Sequence, residues 1–235
     1  YDYLRERGNS TIFIHHDNAY LKEIAGGLNQ IPYGSKDGLY ISGHVTGNSP
    51  YLAFEWKADK EGERHEVQTQ LIGEYNFPNA LAAITIGRFF GVEPEKIDAA
   101  LAAYTPQNNR SQLKQTADNT LIIDAYNANP TSMQASLANF HNMKVENKML
   151  ILGDMRELGK DGPEEHQKIA DFLTECGFED VMLVGEQFAA ARHSFPTYPD
   201  AAAVIEVLKQ SKPHGKTILI KGSNGIRLNT VIDYL

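Results

Sequence analysis

The chain has 235 residues, 42% of them hydrophobic and 22% charged, with a formal net charge of −8. That length suits one large or two modest domains with a sizeable core. The acidic balance argues against sequence-independent nucleic-acid binding, which needs lysine and arginine to replace phosphate counterions, but it leaves a small anionic substrate open, because a local field can oppose the global charge.

Cys176 is the single cysteine, so an internal disulfide is excluded and a reducing compartment is expected. No apolar run approaches the ~18 residues of a membrane-spanning helix, and "YDYLRERGNSTIFIHH" has no signal-peptide core. The sequon at Asn9-Ser10-Thr11 is read as chance. The first residue is Tyr1, not Met, so the chain is expected to start inside a longer protein.

The first third is β-rich. Residues 10–16, 38–45, 51–57 and 66–71 are short β-branched or aromatic runs separated by Gly, Asn and Asp. "NALAAITIGRFF" (79–90) is apolar nearly all round and predicts a buried helix, with Asn79 as its N-cap and Gly91 closing it. Pro94 opens a second helix, 94–104. "TPQNNRSQ" (105–112) is polar and turn-rich, and marks a boundary with a hinge near 105–109.

Beyond it strands and helices alternate: strand 120–125, helix 131–143, strand 148–153, helix 164–176, strand 180–185, helix 200–209, strand 216–221 and a final helix 226–235. Alternation implies right-handed crossovers and a mostly parallel sheet, so the fold class is α/β. There is no internal repeat.

Ligands of open α/β sheets gather outside the carboxyl ends of the strands. Those ends carry "DAYNANP", "GDMRELG", "GEQ" and "KGSNG", with Asp124, Asp154, Glu186 and Lys221, while the opposite connections look like solvated loops. Helix initiation accounts for Asn129 as cap and Pro130 as first residue. It does not require Asp124, Tyr126 and Asn127.

Neither GxxxxGK[ST] nor GxGxxG is present. "HHD" (15–17) is a weak metal candidate with no cysteine cluster or HExxH helix behind it. His166, in the first turn of a helix, reads as a surface residue, and Cys176 as a core one. In "GEYNFPNALAA" (73–83) Asn76 has no capping task, and a carboxamide offers the paired donor and acceptor that suit an adenine edge.

"GEYNFPNALAA", Arg110 in "NNRSQ" and "DAYNANPTSM" together resemble the Mur ligase family, the ATP-dependent amino-acid ligases of peptidoglycan synthesis. "LGDMRELG" and "LIKGSNGIRLNTVI" favour its branch that adds D-alanyl-D-alanine to UDP-N-acetylmuramoyl-tripeptide. The resemblance covers most of the chain and is strongest from residue 73 onward. It implies that residues 1–105 are the second half of a central ATP-binding domain and 106–235 a C-terminal Rossmann-like ligase domain. The UDP-sugar domain, phosphate loop and magnesium ligands would lie upstream, and the fragment alone would be inactive.

The resemblance further implies an acyl phosphate mechanism using ATP and Mg2+, with a cytoplasmic, monomeric enzyme that meets neither nucleic acid nor membrane. Asn76 and Asn79 would face adenine, Arg110 the phosphates and Asp124 the ribose. Tyr126, Asn127 and Asn129, with Asp154 and Lys221, would face the dipeptide. Open alternatives are a sibling ligase or folylpolyglutamate synthase-like enzyme, a non-catalytic nucleotide- or precursor-binding module, and a generic Rossmann-like domain.

Overall fold

A computed structural model describes residues 1–48, 50–59, 62–107 and 109–235. Asn108, within the expected hinge at 105–109, lies outside the described residues. The chain forms two compact units, Tyr1–Thr105 and Pro106–Leu235.

The first unit runs α1 (Asp2–Glu6), β1 (Thr11–His15), α2 (Ala19–Ile24), β2 (Asn29–Gly34), β3 (Ile41–Asn48), β4 (Tyr51–Ala58), β5 (His65–Ile72), α3 (Phe77–Phe89) and α4 (Pro94–Ala103). The five strands form one sheet in sequence order. β1, β2 and β3 pair in parallel, and β3, β4 and β5 antiparallel. β2 has no counterpart in the sequence reading because Pro32 interrupts it. The strand tolerates the proline because its pairing with β3 begins only at Tyr33, so the missing N–H costs no bond on that side.

Alternate side chains of β4, Leu52, Phe54 and Trp56, are buried with Val67 of β5 against Ala80, Leu81 and Ile84 of α3. Gly43 permits this approach: a Cβ there would meet the Leu81 side chain at 3.0 Å and the Glu55 carbonyl at 2.7 Å. Two expectations for α3 are corrected. It is not buried all round, since Phe89 and Phe90 are 43% and 72% exposed. It also starts two residues earlier than expected, so Asn76 occupies the N-cap position and Asn79 lies inside the first turn.

The second unit runs β6 (Gln112–Gln115), β7 (Thr120–Asp124), α5 (Pro130–Asn142), β8 (Lys148–Gly153), α6 (Gly162–Glu175), β9 (Val181–Val184), α7 (Glu186–Ala190), β10 (Thr197–Tyr198), α8 (Ala201–Gln210) and β11 (Thr217–Lys221). Its sheet has the order β10-β9-β8-β11-β7-β6. Every pairing is parallel except β6 with β7. The strand cores at 121–123, 149–152 and 218–220 are continuous apolar runs, and every side chain in them is buried, on either face of the sheet.

The last ten residues are not the expected α-helix. The chain from Asn224 onward instead forms two 3₁₀ stretches, Asn224–Ile226 and Leu228–Tyr234, separated by Arg227 in the left-handed region at φ 61° and ψ 34°. Leu228 and Val231, three apart, stack on one face as the tighter helix requires, and both are buried.

Candidate active site

The parallel register places Lys221 level with Asp124 at the carboxyl end of the sheet. Lys221 is 1% exposed, and its Nζ donates to Asp124 Oδ2 at 2.5 Å. The Ser111 N–H donates to the other oxygen, Oδ1, at 3.3 Å. Asp124 is therefore held by a buried cation and a backbone amide, with 14% of its side chain still reaching solvent. Lys221, expected at the dipeptide, faces this carboxylate rather than open space.

Ser111 and Asn109 both have positive φ, 46° and 57°. These turns flank Arg110, whose guanidinium carbon lies 3.8 Å from the centroid of the Tyr126 ring. Such a cation–π contact pre-orients an arginine while leaving its N–H edge available. Tyr126 and Asn127 are exposed beside it. Asn129 is the N-cap of α5: its Oδ1 accepts from Ser132 N at 2.8 Å, and Ser132 Oγ accepts from Asn129 N in return. The sequence thus brings Arg110, Asp124, Tyr126 and Lys221 to one strand end.

Asp154 sits at the end of β8, with β11 between it and Asp124. It is 5% exposed, and its two oxygens accept from Gln187 N and Phe188 N, both at 3.0 Å. It therefore caps α7 from a different strand. Gly185, at φ 123°, makes the arrangement possible, since a Cβ there would stand 2.3 Å from the Asp154 carboxyl carbon. No sequence signal joins residues so far apart in the chain.

His166 is a correction to the sequence reading, because it is fully buried. Its Nε2 accepts from Met155 N at 3.0 Å and its Nδ1 donates to the Gly162 carbonyl at 2.6 Å. Those partners require the neutral tautomer protonated at Nδ1. Beside this frame a cavity of about 350 Å³ is lined by Asp154, Met155, Arg156, Gly185, Glu186 and Gln187. Arg156 and Glu186 give it opposite charges. Ser223 Oγ fixes the Arg156 backbone by accepting its N–H at 2.9 Å.

In the first unit Asn76 and Asn79 are brought together. Asn79 Nδ2 donates to Asn76 Oδ1 at 3.3 Å, and Asn76 Nδ2 donates to the Ile72 carbonyl at 2.8 Å. At "HHD", His15 stands 3.6 Å from Asp17, whose carboxylate accepts from Ser35 N at 2.6 Å and so ties two loops. Among the described residues no group of three or more His, Cys, Asp or Glu is arranged to hold a metal ion, and no helix is long and apolar enough to cross a membrane.

A two-unit chain with one mostly parallel sheet, and its polar side chains gathered at the carboxyl ends of the strands, has known counterparts. Residues 109–224 match the family described as the Mur ligase, glutamate ligase domain, and the chain belongs to the Mur ligase family. Within the family its relatives are UDP-N-acetylmuramoyl-tripeptide–D-alanyl-D-alanine ligases. The one from Synechocystis sp. is 27% identical over 96% of this chain and 50% of its own length. The one from Bacillus subtilis is 31% identical over 69% of this chain and 38% of its own. The structure of Thermotoga maritima MurF in complex with ADP superposes with a TM-score of 0.80 at 18% identity, over 96% of this chain and 53% of that one. The chain therefore spans about half the length of the relatives it matches.

Proposed function

We propose that the chain is the carboxyl portion of an ATP-dependent, ADP-forming ligase that joins D-alanyl-D-alanine to UDP-N-acetylmuramoyl-tripeptide in the cytoplasm. In this reading residues 1–105 are the second half of the central ATP-binding domain and 106–235 the ligase domain. A peptide carboxylate oxygen attacks the γ-phosphorus of ATP, the bond to the bridging oxygen breaks, and ADP leaves. The dipeptide amine then attacks the acyl phosphate carbonyl, phosphate departs, and the nitrogen gives up a proton. Both steps depend on positioning and on stabilising phosphoryl charge.

The cluster of Arg110, Tyr126, Asp124 and Lys221 is the observation that carries the proposal. Arg110, steadied on Tyr126, has the planar fork for phosphate oxygens. Asp124, held by Lys221, accepts a ribose hydroxyl at its solvent-reaching edge. Asn76 and Asn79 address the adenine edge, and Tyr126 and Asn127 face the junction where the incoming dipeptide sits. The opposite charges of Arg156 and Glu186 suit the carboxylate and ammonium of a zwitterionic dipeptide better than Asp154, Lys221 or Asn129, which have partners within the fold. The described residues do not assemble a magnesium site, and no step here is assigned to the metal.

The test is phosphate release by the whole protein that carries this chain, supplied with ATP and UDP-N-acetylmuramoyl-tripeptide. Dependence on D-alanyl-D-alanine is expected. Release with another amino acid instead would point to a sibling ligase, and silence with every acceptor to a binding module.

A further inference from the structure

A second cavity, of about 450 Å³, opens between the N-terminal turn of α8 and the 3₁₀ segments at the chain's end. Its walls include Arg156, Pro199, Ala202, Ile205, Ile226 and Arg227. Arg227 lies within "LIKGSNGIRLNTVI", but the ligase reading gives its side chain no task. Two features mark this place as built around guanidinium groups.

The first is the backbone of Arg227. Its φ of 61° lies where a side chain is disfavoured and where Gly or Asn is the usual occupant. The turn is locked there, because the Arg227 carbonyl accepts both the N–H and the hydroxyl of Thr230, at 3.0 and 2.8 Å. An arginine at such a position is explained by what its side chain reaches, not by the turn. The second feature is Gly225. A Cβ there would come within 2.8 Å of Arg156 Nη1 and 3.2 Å of its Cδ, so the glycine lets the arginine lie flat across the chain.

Two guanidinium groups thus line one cavity in a chain of net charge −8. Among the described residues neither has a carboxylate at ion-pair distance. Asp200 is the one carboxylate in the lining, and its Oδ1 is engaged by Ala203 N at 2.9 Å as the cap of α8. Ala201, Ala202, Ile205 and Ile226 make the remaining wall apolar. The volume is that of a small-molecule pocket.

We propose that this cavity binds a small organic anion, a carboxylate on a short apolar body, with Arg227 and Arg156 on the charged end and the α8 alanines and Ile205 on the other. The cavity adjoins the Arg156–Glu186 cavity and shares Arg156, Pro199 and Ile226 with it, but Arg227, Ala201, Ala202 and Ile205 belong to it alone, and the proposal does not depend on the ligase reading.

The experiment titrates this chain with sodium butyrate at fixed ionic strength and follows the backbone amides of Ala202, Gly225 and Thr230 by two-dimensional NMR. Saturable shifts at all three are expected. Butyramide, the same shape without charge, should leave them unmoved, and inorganic phosphate, without the apolar body, should bind more weakly than butyrate. Arg227→Asn, which keeps a residue suited to positive φ, should weaken butyrate on the order of tenfold with an unchanged or raised melting temperature. Arg227→Lys should recover part of the affinity. Equal response to butyramide, tighter binding of phosphate, or full butyrate affinity in Arg227→Asn would overturn the proposal. So would a loss of more than about 3 °C in Arg227→Asn, which would give the arginine a structural task.

Discussion

Lys221→Met tests whether the strand-end ion pair organises the second unit. The substitution keeps an unbranched side chain of similar reach at a position 1% exposed and removes the ammonium that meets Asp124 at 2.5 Å. Breaking a buried pair from one side costs about 3–5 kcal/mol, because the remaining charge loses its compensation. Asp124 retains the Ser111 N–H and has 14% of its side chain in solvent, which sets the cost at the lower end, about 3 kcal/mol. For a unit of this size that corresponds to roughly 12 °C in melting temperature. The double variant Lys221→Met/Asp124→Leu removes both charges. It should fall only about 1 kcal/mol below the parent, chiefly from the lost Ser111 acceptor. Calorimetry and far-UV circular dichroism measure these losses, while fluorescence of Trp56, the sole tryptophan, reports the first unit. A single-variant cost below about 1 kcal/mol, or losses that merely add in the double variant, would refute the reasoning.

Gly185→Ala should destabilise by about 2–4 kcal/mol, since the new Cβ collides with the Asp154 carboxyl at a backbone angle that alanine resists; urea denaturation gives the value. His166→Phe strands Met155 N–H and the Gly162 carbonyl in a fully buried site, and should cost about 2–4 kcal/mol by the same assay. Burial, with Glu175 adding to it, pushes the Cys176 thiol above its ordinary value. Its thiolate fraction at pH 8 is therefore reduced, and iodoacetamide should alkylate it more slowly than a free cysteine thiol, with the inflection displaced to higher pH. Equal rates would show that burial does not control this thiol.

The central strands of the second unit were legible because each is a continuous apolar run bounded by turn residues, a pattern that only a doubly covered parallel sheet satisfies. β6 and β10 were not. β6 is a polar edge strand, and β10 is two residues long, so neither generates periodicity. The final segment misled because leucine, valine and isoleucine at 228, 231 and 232 have the i, i+3, i+4 spacing of an α-helix, while Arg227, in the left-handed region, breaks the helix expected to run from 226. His166 was misplaced because the first turn of a helix is normally solvated. What buries it is a pair of backbone partners, Met155 from the preceding loop and Gly162 at the start of the helix itself.

The strand-end polar residues divide by whether they have a partner inside the fold, and sequence cannot make that division. Asp124, Asp154, Glu186 and Lys221 are equivalent when read along the chain, one charged residue after each apolar run. In three dimensions Asp154 turns inward onto the amides of Gln187 and Phe188, and Lys221 onto Asp124. These two order the sheet's edge, because a buried charge stays put only where its partners are fixed. Arg110, Tyr126, Arg156 and Glu186 remain at the surface. A site that must bind charged substrates needs both kinds: side chains locked by the fold to hold the edge rigid, and side chains in water whose charge a ligand can still satisfy.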